Sequence, residues 1–152
     1  GEGPLAAAHD ALATELGIRD RVRFLGSRAD VGACLEMARV FVFPSLFEGW
    51  GAAPIEAMFK GLPCIATRIE PLTELFADGE TARLVTPGSR AELAAAMLEL
   101  HRDPDLRRRL GASAREAAVE RFDLGQGMKV WSQFYRELAE MRQLSANSAT
   151  SP

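Results

Sequence analysis

Apolar positions along this chain alternate between two periods. Leu5, Ala8, Leu12 and Leu16 recur at helical spacing, and Gly17 supplies a stop. Val22–Leu25 (VRFL) reads as a short strand that ends at Gly26. Asp30 is suited to cap a helix reaching about Ala38, with Val31, Leu35 and Ala38 on one face. Val40–Phe43 (VFVF) is uninterrupted and apolar, as expected of a strand covered on both faces. Pro54 opens the next helix and Gly61 closes it, and Cys64–Thr67 forms the strand that follows. A helix over Pro71–Ala77, a turn at Asp78-Gly79 and a last strand at Arg83–Val85 complete the alternation. The remainder reads as helical, from Arg90 to His101 and from Asp103-Pro104 to about Arg121. A final helix, roughly Gly127–Leu144, carries Val130, Trp131, Phe134, Leu138 and Met141 at spacings of three and four. The polar tail Ser145–Pro152 is predicted to be disordered.

Strands alternating with helices predict an α/β fold, a Rossmann-like parallel sheet with flanking helices and right-handed crossovers. At 152 residues the chain is long enough for one domain with a real core. Its net charge of -3 gives no electrostatic basis for binding nucleic acid. Cys34 and Cys64 sit in apolar runs without metal-ligand spacing, and read as buried, reduced thiols of a cytoplasmic protein. His9 and His101 likewise lack a carboxylate or cysteine at ligand spacing, so no metal site is expected. The sequence has no segment resembling a signal peptide and no apolar run long enough to span a bilayer; a membrane contact would be peripheral.

The chemistry concentrates in one stretch, PSLFEGWGAAPIEAM, Pro44–Met58. It follows the VFVF strand, and ligands of a parallel sheet bind outside the carboxyl ends of the strands. The loop feeds a helix whose first amides, near Ala52 to Ile55, have no partner in the helix itself. Free amides and the helix dipole make an anion site, and Gly49 and Gly51 omit the side chains that would obstruct approach. Glu48 and Glu56 cannot themselves hold a phosphate, because like charges 4 Å apart repel by about 4 kcal/mol at an effective dielectric near 20. Ionised carboxylates accept hydrogen bonds, which suits neutral hydroxyls. Amides on a pyrophosphate with carboxylates on hydroxyl-bearing groups to either side match the layout of a nucleotide sugar. Glu56, at about the third helical position, could instead only complement its helix dipole, worth about 0.3–1 kcal/mol, and Glu48 could be a solvated loop residue.

The run FVFPSLFEGWGAAPIEAMFKGLPCIAT resembles the C-terminal, donor-binding half of family-4 glycosyltransferases, which are retaining enzymes of the GT-B fold. Their glutamate pair, separated by seven residues, is matched by Glu48 and Glu56. The likeness extends through DRVRFLGSRADVGACLEMARV upstream and ADGETARLVTPGS downstream. It implies a metal-independent transferase that uses a UDP-, GDP- or other nucleotide-sugar donor. Glu48 would lie beside the donor hexose in an orienting or charge-stabilising role, and Glu56 would accept from the ribose hydroxyls. Gly49 lies in the loop between them; Gly51, Ala52 and Ala53 would turn amides toward the pyrophosphate and sugar. Gly26, Ser27 and Arg28 fall where the family holds the nucleobase, largely through backbone. The resemblance further implies a donor-binding domain over residues 1–122, incomplete at its N-terminal side, a C-terminal helix over 123–144 and the tail 145–152. The family's first two strands, its basic phosphate ligands and its N-terminal acceptor domain, which would take a sugar, lipid or polysaccharide, would then precede this chain. VRFL, deprived of its neighbours, would sit alone at an edge, pair abnormally or await them.

Two alternatives keep other function classes open. The chain could be a non-catalytic nucleotide-sugar-binding subunit that completes a partner in trans. It could also be an interaction module retaining the core while the motif drifts. A phosphorylase-like GT-B enzyme is weaker, since no residues are arranged for pyridoxal phosphate.

Overall fold

The structure, a computed structural model, describes residues 3–49, 51–122, 125 and 133. The expected helix at Gly127–Leu144, Gln133 aside, and the tail Ser145–Pro152 lie outside them. The chain divides into two compact units, Gly1–Met37 and Ala38–Pro152.

The first unit holds α1 (Ala6–Glu15), a 3-10 turn at Arg19–Arg21 and α2 (Val31–Met37). Leu5, Leu12 and Leu16 keep helical spacing but are 61%, 49% and 61% exposed, with Ala13 the buried residue of α1. A segment of this length has too little interior to cover its own apolar stripe. The expected strand Val22–Leu25 does not form: Val22 is extended, but the segment belongs to no sheet. A strand is completed by its neighbour's ladder, and this one has none among the described residues. Arg19 partly substitutes, donating to the Val22 carbonyl at 3.0 Å and placing its guanidinium 5.4 Å from the centre of the Phe24 ring. At the start of α2 the Asp30 carbonyl accepts from Ala33 and Cys34, as the cap position requires, while the Asp30 carboxylate is taken by Arg28.

The second unit contains a three-stranded parallel sheet, β1 (Phe41–Phe43), β2 (Cys64–Thr67) and β3 (Ala82–Val85), in that spatial order. Val42 registers with Ile65, and Ile65 with Arg83. β2, paired on both sides, is buried throughout, whereas all three residues of β1 are half-exposed. β1 is an edge strand, with a ladder neighbour on one side only among the described residues, which leaves its residues less buried than those of the central strand. Between the strands run α3 (Ala52–Phe59) and α4 (Leu72–Leu75), followed by α5 (Arg90–Arg102) and α6 (Pro104–Phe122). Ile65 and Val85 pack with Ala96 and Leu100 of α5 and Leu110 of α6, and Val40 and Val42 border this cluster. Cys64 is fully buried at the start of β2 with its thiol pushed up to about 12 by burial, so it is an inert core residue; Cys34 is also a free thiol.

Caps set the helix limits. Ser89 accepts from the Glu92 amide at 3.3 Å, and Glu92 accepts from the Thr86 amide at 2.7 Å, tying the entry of α5 to the end of β3. Asp103 caps α6 by accepting from the Leu106 amide at 2.8 Å, with Pro104 in the first helical position. Arg83 forks onto Glu99 at 2.8 and 2.9 Å, joining β3 to α5. Asp78 accepts from the Leu84 amide at 2.9 Å and from Arg68 at 2.8 Å; partial burial opposes its charge, but these donors hold its carboxyl below the usual range.

α3 is seated by two glycines. Gly61 ends it in a left-handed turn (φ +69°), with its amide donating to Met58 and the Leu62 amide donating to Ala57. The Gly61 carbonyl lies so close to Gly111 in α6 that a Cβ there would come within 2.1 Å of it. The obstacle is backbone and cannot rotate aside. Gly111→Ala is expected to destabilise the chain by about 3 kcal/mol, measured by urea unfolding; an unchanged midpoint would show that α6 need not approach this closely.

Candidate functional site

The loop from Pro44 to Gly51 leaves the carboxyl end of β1 and turns into α3. Gly51 is the N-cap, in the left-handed region (φ +76°), and a Cβ there would meet a Leu72 methyl at 3.3 Å. Only glycine adopts this conformation without strain. Gly49 is exposed, and a Cβ would meet nothing within 4 Å. The two glycines thus differ in role: Gly51 makes the turn, whereas Gly49 leaves open space above the loop.

α3 begins two residues earlier than expected, at Ala52, so Pro54 occupies its third position, still within the first turn where its missing N–H is harmless. No side chain caps the helix, and among the described residues nothing accepts from the amides of Ala52 and Ala53, two exposed residues. The earlier start moves Glu56 from the third helical position to the fifth, and the first turn of α3 contains no acidic residue. Complementing the dipole therefore explains Glu56 poorly, because that effect fades beyond the first turn. Glu56 is exposed and Glu48 half-buried.

Two residues that the sequence pattern did not single out fix the loop. Thr67, the last residue of β2, is 2% exposed, and its Oγ1 donates to the Ser45 carbonyl at 2.5 Å. Ser45 Oγ in turn donates to Glu48 Oε2 at 3.4 Å. A hydroxyl closing an otherwise apolar run, CIAT, was the available signal: a buried polar group needs a partner. Leu46 and Phe47 remain 72% and 89% exposed on the same loop.

Gly26, Ser27 and Arg28 belong to the first unit. Gly26 has φ +65° and is half-buried, and Ser27 is exposed. The exposed Arg28 donates from Nε and Nη2 to Asp30 at 2.7 and 2.5 Å, which raises the guanidinium pKa and lowers that of the carboxyl. Glu48, Gly49, Gly51, Ala52, Ala53 and Glu56 are brought together by one loop–helix junction of the second unit. Among the described residues no group of three or more His, Cys, Asp or Glu is placed to hold a metal ion.

The sequence pattern of the family described as glycosyl transferases group 1 matches residues 1–117. The chain belongs to this family. Among relatives, the N-acetyl-alpha-D-glucosaminyl L-malate synthase of Bacillus anthracis is 35% identical over 122 residues, which cover 80% of this chain and 32% of that protein. Among solved structures, the sucrose-phosphate synthase of Thermosynechococcus elongatus is similar with a TM-score of 0.83 and 30% identity, over 93% of this chain and 37% of that one. Anabaena HepE, solved in complex with UDP-glucose, is similar with a TM-score of 0.81 and 28% identity, over 92% of this chain and 38% of that one. The fold is the Rossmann-like one of GT-B glycosyltransferases. This group 1 chain spans about a third of the length of the relatives it matches.

The contrast between the glycines is measurable. Gly51→Ala is expected to cost about 1–2 kcal/mol of stability from the left-handed backbone, and Gly49→Ala to stay within about 0.5 kcal/mol. Urea unfolding of the two variants decides it, and equal losses would contradict the assignment.

Proposed function

We propose that this chain is the donor-binding half of a retaining, metal-independent hexosyltransferase of family 4, acting on a nucleotide-diphosphate sugar. The observation that carries the reading is the uncapped, amide-presenting start of α3, turned by Gly51 and flanked by Glu48 and Glu56. The UDP-glucose complex of the similar HepE structure supports a nucleotide-sugar donor.

In this reading the Gly51, Ala52 and Ala53 amides face the pyrophosphate, with Gly49 leaving room for it. Glu56 accepts from the ribose hydroxyls, and Glu48 orients the hexose and balances positive charge at its anomeric centre. During transfer, negative charge accumulates on the departing diphosphate, and fixed dipoles aimed at that charge lower the barrier most. The α3 amides supply part of that stabilisation. The acceptor in this reading is a sugar, lipid or polysaccharide. In this reading the donor-binding domain falls within residues 1–122. The protein works in the cytoplasm, with any membrane contact peripheral.

Calorimetric titration of the folded chain with UDP and with GDP tests the site. One nucleotide is expected to bind, and Glu56→Ala to weaken it about ten-fold or more, as a charge-assisted hydrogen bond warrants. Absence of binding to either by a demonstrably folded sample, or an affinity unaffected by Glu56→Ala, would overturn the proposal.

A further inference from the structure

We infer that Thr67 is a positioning residue for Glu48, acting through Ser45 to set how the site holds the sugar rather than the nucleotide. This inference rests on the donor-binding reading above.

Thr67 lies at the carboxyl end of the central strand, in register with Val85 of β3, and is 2% exposed. A hydroxyl so placed must donate within the protein. It donates not to its own strand or to a neighbouring ladder but to the Ser45 carbonyl, 22 residues earlier. That acceptor lies in the loop between β1 and Gly51, three residues before Glu48. The bond fixes the orientation of the peptide after Ser45, and with it the direction in which the chain leaves β1. Ser45 Oγ continues the connection, donating to Glu48 Oε2 at 3.4 Å. Core hydroxyl, loop carbonyl, loop hydroxyl and half-buried carboxylate therefore form one path from the sheet to the side chain.

The amide cradle is held by different contacts. Gly51 packs against Leu72 and Pro54, and Gly61 against Gly111. Removing the Thr67 hydroxyl leaves those contacts in place but frees the Ser45 carbonyl. The expected consequence is selective: contacts to the pyrophosphate persist, while Glu48 no longer holds a defined place beside the hexose. A threonine that served only to satisfy the core would instead affect all ligands equally, or none.

The test compares UDP with UDP-glucose, and GDP with GDP-mannose, by calorimetry on the folded chain. Thr67→Val preserves shape and apolar burial while removing the donor. It is expected to weaken the nucleotide sugar about five-fold relative to the free nucleotide, the loss of one net hydrogen bond. Thr67→Ser, which retains the hydroxyl, is expected to restore the ratio. Ser45→Ala, which leaves the buried threonine untouched, is expected to shift the ratio in the same direction as Thr67→Val and provides the reading if that variant does not fold. Equal weakening of nucleotide and nucleotide sugar, an unchanged ratio, or failure of Thr67→Ser to restore it would overturn the inference while leaving the donor site standing. Binding of neither pair by the folded wild-type chain would overturn the donor site and this inference together.

Discussion

The arrangement depends on how tightly one short helix is gripped at both ends. α3 has eight residues, too few to be stable alone, so its position is set by what it touches. At its start Gly51 turns left-handed against Leu72, and at its finish the Gly61 carbonyl meets the bare backbone of Gly111 in α6. A methyl group at Gly111 would collide with main chain, and one at Gly51 would be both strained and crowded. Backbone packed against backbone leaves little slack. The free amides at the helix start inherit that rigidity, and a dipole that need not reorient is what electrostatic stabilisation requires.

The loop before α3 is steadied differently, by a single hydroxyl from the sheet. Thr67 reaches the Ser45 carbonyl, and Ser45 reaches Glu48. The junction thus has two supports, one steric and one polar, serving two chemically distinct parts of the proposed donor. Uncharged amides suit a diphosphate, whereas carboxylates are repelled by it and suit hydroxyls. In the proposed donor site, both kinds of group within one loop–helix junction would let a single stretch of chain hold both ends of the same molecule.

Much of the second unit was legible because its signals are local. Cys64–Thr67 is a strand because its apolar run lies between turn residues, and α5 and α6 begin where Ser89 and Asp103 can cap them. The first unit was less legible. VRFL has the composition of a strand but no partner for its ladder among the described residues, and α1 has an apolar stripe that its own unit leaves exposed. Composition states what a segment can bury or pair, not whether a neighbour is present to accept it. VFVF makes the same point more mildly: its residues are as apolar as those of a central strand, but its place at the edge leaves them half-exposed.

The sequence by itself determined the junction: its glycines, its two glutamates and its place after a strand follow from residue type and order alone. The family resemblance followed from the same residues, and the match over residues 1–117 agrees with it. Tertiary structure decided where α3 begins, which takes Glu56 out of the first turn, and it distinguished Gly51 from Gly49. It also brought Thr67 to Ser45 and Gly111 to Gly61. Those pairings join residues far apart in the chain, and each residue alone is unremarkable. Periodicity records only what near neighbours do, whereas contacts between distant segments exist only once the sheet and helices have packed.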